Sequence, residues 1–368
     1  MPTRDILEKA ILALGRDAEL LVRFQRDPGS VGAELGLDDE WAGVIQRGDR
    51  DRLRMAGVND GITILASRWF RNDLGDSSSR GAFTADDAGE ISGGRWPDNL
   101  VFAGACSHVP DLLARPEIDD PAAIERLRAA YARLAADLLA SRPDVVITTT
   151  DCHFQSFETG AFVVGEAASH SGSMVFFKRP DLALSLRGDP EFAGEIIREV
   201  SGRGLEVEAA AEVQLDHGLV VPLSLVLPDP QTPVVPVVTQ PARTFSPYGA
   251  RAFGQALRSV IERGNRRVAL LATGGLSHWL DPGKFGFIDR EFDNYILDLL
   301  RKGRGLDLAN LEPLPLLSHG QYEILNWIIV LAALGPGIKG DVYAYEPCEK
   351  SGGGWTVINM LHPDSSRA

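Results

Sequence analysis

Cysteine is scarce: Cys106, Cys152 and Cys348 stand far apart in 368 residues and form no CxxC pair. That scarcity excludes a disulfide framework and a thiolate zinc knot, and it suits a reducing cytoplasm, where the protein is expected to reside. Positive charge is also short, with 37 Lys and Arg against 51 Asp and Glu, a formal net charge of -14 and a pI near 5.0. Binding a polyanion draws on basic residues to neutralise phosphates, so no nucleic-acid partner is expected. Long hydrophobic runs are missing, the longest being Trp327 to Leu334, far below the roughly 20 residues that span a bilayer. The N-terminus carries no basic-then-apolar targeting signal, and no membrane association is expected. The Gly-rich stretches "SGGRW" and "SGGGW" lack the Lys-Ser/Thr of a P-loop and read as loops, and no GxSxG elbow occurs.

What is present is a hydrophobic content of 44%, enough for one large domain and a smaller one. Residues 3 to 70, with "ILEKAILALG" and "AELLVRFQRDPGSVGAELGL", have the apolar spacing of short helices. Residues 71 to 97 are rich in Gly, Ser and Asp and poor in aliphatics, the composition of a linker. The expected organisation is therefore a small helical domain over 1–70, a linker over 71–97 and an α/β domain over 98–368. In the last of these, apolar strands such as "VFAGAC", "DVVITTT", "GLEVEAAAE", "TPVVPVVTQ" and "RVALLAT" alternate with helices near 121–141, 247–263, 289–302 and 321–334. Asp120 can cap the first of these helices, Pro121 suits its first turn, and Ile124, Leu127, Tyr131, Leu134 and Leu138 form one stripe. The fold class expected is α/β, a mixed central sheet flanked by helices, behind an N-terminal all-α domain.

Three of the seven histidines share one setting. His108 follows "VFAGAC", His153 follows "DVVITTT", and His278 follows "RVALLAT" and two glycines. Ligands in open α/β sheets bind outside the carboxyl ends of the strands, so three imidazoles at one rim suggest a metal site. His217, in "LDHGLVVPL", follows an aspartate that can orient its ring or simply hold it in a polar loop. His170 and His362 read as exposed residues, and His319 as a cap or loop residue. Glu323 falls on a helical stripe with Trp327, Val330 and Leu334, and a buried carboxylate needs a cation, either a metal or an arginine, unless it is exposed on the first turn.

"ACSHVPDL", "PDVVITTTDCHFQSF", "LDHGLVVPL", "ATGGLSHWL" and "YEILNW" occur in the order seen in class III extradiol ring-cleavage dioxygenases. Over about 100–360 the chain resembles the catalytic subunit of the protocatechuate 4,5-dioxygenase-like members. Residues 1–70 resemble their small helical subunit, fused ahead of it. The resemblance implies that His108, His153 and Glu323 hold one Fe(II). It makes His278 an acid/base residue and not a ligand, and His217 a residue of the substrate pocket. It implies a small aromatic substrate and dioxygen as reactants, and a homodimer. Protocatechuate, gallate, a methylated gallate, another substituted catechol or a hydroxypyridine all remain open, as does whether the helical domain covers its own site or a partner's. Arg243, in "QPARTFSPYG", is a candidate anchor for a substrate carboxylate, with a plain surface arginine as the rival. A non-catalytic protein of the same fold that keeps the metal pocket for binding is the alternative function, and a zinc hydrolase a third.

Overall fold

The computed structural model describes residues 2–14, 20, 23–24, 26–58, 96–155, 157, 162–241, 245–279, 284–311 and 313–361. The expected linker lies almost wholly outside them, as do Arg243 and His362. The chain divides into two compact units, one holding Met1–Ser78 with His153–Ser156 and Trp279–Phe285, the other holding the rest.

In the first unit, helices Arg4–Leu14, Pro28–Glu34, Asp39–Gln46 and Arg50–Met55 follow one another. Asp27, Asp38 and Asp49 cap the last three, each accepting a backbone N–H three residues on, which satisfies a donor that the helix itself cannot. Leu7, Ile11, Leu14, Phe24, Trp41, Ile45 and Leu53 make a core of their own.

The second unit is built on eight strands in the order β6-β3-β7-β2-β8-β1-β10-β9. These are β1 (Leu100–Cys106), β2 (Val145–Asp151), β3 (Phe162–Gly165), β6 (Val207–Ala210), β7 (Val234–Thr239), β8 (Val268–Thr273), β9 (Asp341–Cys348) and β10 (Gly353–Asn359). Strands β7, β2, β8 and β1 run parallel, whereas β3 meets β7, and β10 meets β1, antiparallel. The sheet is mixed, as the sequence predicts. The four parallel strands are buried along their whole length, apart from one half-buried residue in β1. Such strands read as continuous apolar runs because helices cover both faces.

The Pro121–Ser141 helix has the cap and the stripe read from the sequence: Asp120 accepts from Ala123 N, and Ile124, Leu127, Tyr131, Leu134 and Leu138 are buried. It links β1 to β2 as expected, but β8 lies between those two strands in the sheet. Two readings are corrected. "SGGGW" is not wholly loop, since β10 begins at Gly353 and pairs on both sides. His170 is buried, not exposed, because "SHSGSM" forms β4 (Ser169–Met174) against β5 (Arg179–Arg187), a two-stranded ribbon in which His170 faces Leu186.

Candidate active site

Parallel strands end together, and here the register places Cys106 opposite Thr273 and Asp151 opposite Thr239. His108 lies two residues past β1 and His153 two past β2, while Gly274 and Gly275 leave β8 on the same rim. The exits from β1 and β8 are pinned. Tyr131 OH donates to the Ser107 carbonyl, Ser107 Oγ accepts from Thr356 N at 2.7 Å, and Gly274 N donates to Cys106 O at 3.0 Å.

His108 is buried between two oxygens. Its Nδ1 lies 3.1 Å from Thr273 Oγ1 and its Nε2 3.0 Å from Glu323 Oε1. Burial opposes charge on this imidazole, but Glu323 outweighs that, with help from Asp151 and Asp216, and raises it above its ordinary value. The other oxygen of Glu323 accepts the N–H of Gly275 at 2.5 Å. The two glycines that end β8 answer to this packing. Gly274 has φ +124° and backs onto Glu323, and a Cβ on Gly275 would stand 2.8 Å from the Trp355 ring.

Glu323 is buried as the sequence suggests, but for a different reason. The helix runs over Ile324–Leu334 and not from residue 321, and Glu323 occupies the position just ahead of it. Its side chain is therefore directed by the turn into the rim and not by a helical stripe.

The ligating atoms of His108, His153 and His217 lie within 4.8 Å of one another, as do those of Asp151, His153 and Glu323, and all these residues are buried. His217 opens the His217–Val226 helix behind Asp216, which caps it through Gly218 N. Its ring meets His108 edge-on with centroids 5.3 Å apart, and Phe177 packs against it at 4.9 Å. His278 belongs to neither group of ligating atoms, so three strand-end histidines do not make the cluster that their setting alone suggests. It is half-buried, with Nδ1 2.8 Å from the Gly352 carbonyl and its ring beside Trp355.

Asp151 was not foreseen, although it ends β2 directly before the Cys152-His153 pair. Its Oδ1 accepts from Thr239 Oγ1 and Asn326 Nδ2, both at 2.8 Å, and Asn326 also donates to Thr273 O. Asp293 was also missed. It lies in the first turn of the Arg290–Arg301 helix, fully buried, and burial pushes its carboxyl above the usual range against the pull of Ser277, Tyr345 and Gln321. His319 is a loop residue, as expected, and is held by Asp289 at 2.6 Å.

Residues 103–355 match the family described as the catalytic LigB subunit of aromatic ring-opening dioxygenase. The chain belongs to that family. It is 28% identical over 183 residues to a 2,3-dihydroxyphenylpropionate/2,3-dihydroxicinnamic acid 1,2-dioxygenase of Rhodococcus globerulus, covering 48% of this chain and 55% of that one. It is 33% identical over 140 residues to a gallate dioxygenase of Pseudomonas putida, 36% of this chain and 41% of that one. A second dihydroxyphenylpropionate enzyme, also of Pseudomonas putida, is 27% identical over 288 residues, 63% of this chain and 86% of that one. The chain spans about half the length of the curated relatives it matches first.

Proposed function

We propose that the protein is an Fe(II)-dependent extradiol dioxygenase that opens the ring of a substituted catechol. The observation that carries this reading is the buried set of imidazoles and carboxylates at one strand-end rim, with His108 Nε2 3.0 Å from Glu323 Oε1. Two such buried donor atoms so close, among further imidazole and carboxylate groups, suit a divalent metal between them. His108 also fits the usual habit of ligating histidines, its second nitrogen being held by the Thr273 hydroxyl.

We assign His108, His153 and Glu323 as the ligands, the two-histidine, one-carboxylate facial set of non-haem iron oxygenases. A ferrous ion in that set supplies redox chemistry with dioxygen and a Lewis-acidic docking point for two adjacent ring hydroxyls. The chain's own residues handle the protons. The Gly352 carbonyl accepts a hydrogen bond from Nδ1–H of His278, which leaves the Nε2 lone pair of the neutral ring to take a hydroxyl proton and later return one. His217, whose ring packs against His108 and Phe177, would hydrogen-bond a ring hydroxyl. The names of the relatives point to catechols that carry a carboxylate.

The test is anaerobic reconstitution with Fe(II) followed by oxygen uptake with protocatechuate, gallate, methylgallate, 2,3-dihydroxyphenylpropionate and dihydroxypyridines. Uptake with a new yellow product is the expected result. Stoichiometric iron without uptake on any ring overturns the catalytic reading and favours a binding protein.

A further inference from the structure

Asp293 is fully buried, yet no arginine or lysine pairs with it among the described residues. A buried carboxylate without a cation is costly, and an apolar residue of similar size is often the more stable choice. Two features offset that cost. The carboxylate sits in the first turn of the Arg290–Arg301 helix, at the positive end of its dipole, and four donors surround it. Oδ1 accepts from Ser277 N at 2.9 Å and Gln321 Nε2 at 2.8 Å, and Oδ2 accepts from Ser277 Oγ and Tyr345 OH, both at 2.8 Å.

The origin of those donors is what matters. Ser277 directly precedes His278, and Gln321 precedes Glu323 by two residues. One carboxylate therefore ties the turn that carries the proposed base to the turn that carries a proposed metal ligand. The same two turns meet again where His278 N donates to Gly320 O at 2.9 Å. Asp289, one helical turn earlier, repeats the pattern: its N–H donates to Ser277 Oγ at 3.0 Å and its carboxylate holds His319.

We propose that Asp293 is a positioning residue that fixes His278 relative to Glu323 through Ser277 and Gln321. The functional part of this inference rests on the dioxygenase reading, and the coupling of the two turns does not. Tyr345 supplies a built-in control, because it reaches the same carboxylate from β9 and not from either turn.

The experiment compares the full-length wild type with Asp293→Ala, Asp293→Asn and Tyr345→Phe by amide hydrogen exchange, Fe(II) titration and steady-state kinetics on protocatechuate, gallate and 2,3-dihydroxyphenylpropionate. In Asp293→Ala, exchange should rise at least about tenfold over 275–279 and 318–324 relative to the rest of the α/β unit, since both turns lose their shared anchor. Turnover should fall about 100-fold with KM little changed, as a displacement near 1 Å produces. Asp293→Asn, which keeps one acceptor oxygen, should restore most of both. Tyr345→Phe should lower Tm and leave kcat within about twofold. Should Asp293→Ala fail to fold, Gln321→Leu removes the side-chain link to the Glu323 turn and Ser277→Ala weakens the link to the His278 turn, leaving only the backbone N–H of residue 277 on the carboxylate, and each should loosen its own turn most.

A uniform rise in exchange across the unit, or a loss of kcat that follows Tm equally in Asp293→Ala and Tyr345→Phe, would overturn the proposal. Wild-type protein that binds iron but consumes no oxygen refutes the dioxygenase reading instead, and the exchange data then decide the coupling by themselves.

Discussion

Gly274 lies so close to Glu323 that a Cβ added to it would stand 2.7 Å from the Cβ of Glu323 and 3.1 Å from its Oε2. Its φ of +124° is also one that residues with side chains rarely adopt. Gly274→Ala should therefore cost about 1–3 kcal/mol from backbone strain and displace the carboxylate. Thermal unfolding should show the loss of stability and a metal titration the loss of affinity. Unchanged affinity would mean that Glu323 is not held against position 274 in the working protein.

The assignment of ligands makes a second prediction. His108→Ala, His153→Ala and Glu323→Ala should each lose iron, whereas His278→Ala should keep it and lose about 10²–10⁴ in turnover, the usual contribution of a general acid or base. His217→Ala should be milder, keeping iron and part of the turnover. Equal iron content across the first four variants would sink the assignment, and iron analysis alone is enough to see it.

How much of this was legible beforehand follows from the range of the forces involved. The Pro121–Ser141 helix could be read from its cap and stripe, because both signals are local. The rim could be read because parallel apolar strands end together, and each of the three histidines follows one. That His278 stands outside both groups of ligating atoms could not, since its position depends on where Gly352 and Gly320 bring their carbonyls, and both lie far along the chain. The motif resemblance is what implies that His278 is an acid/base residue and not a ligand. His170 was misread because a polar run of Ser, His and Gly looks like a loop until its pairing with β5 is known. Asp151 and Asp293 were passed over because a buried acid declares itself through donors from distant segments.

Asn326 illustrates the same point and yields a third prediction. Its amide donates to Asp151 Oδ1 at 2.8 Å and to Thr273 O at 3.1 Å, all in the buried floor of the site. Asn326→Ala strips one donor from a buried carboxylate and one from a strand-end carbonyl, which should cost about 1–3 kcal/mol. Urea unfolding would register it as a lower midpoint with the slope unchanged. A variant as stable as wild type would show that other donors already satisfy both acceptors.

The last prediction concerns pH and a histidine away from the proposed chemistry. His170 is 1% exposed and its Nδ1 accepts from Val213 N at 3.3 Å. Burial holds its pKa below the ordinary value, only partly opposed by Glu212, so the folded state carries this imidazole neutral at a pH where the unfolded chain would bind a proton. Below about pH 6.5, the unfolded value for histidine, unfolding takes up a proton. Stability contributed here is then complete above that pH and falls as the pH drops toward the folded value, by at most about 1.4 kcal/mol per pH unit. In His170→Asn the amide oxygen can still accept from Val213 N, but nothing titrates. Chemical unfolding between pH 5 and 8 should therefore show the wild type losing stability more steeply than the variant below pH 6.5, with the two curves parallel above it. Parallel curves throughout would mean that His170 finds a proton acceptor in the folded protein and is not the acid-sensitive element of the β4–β5 ribbon.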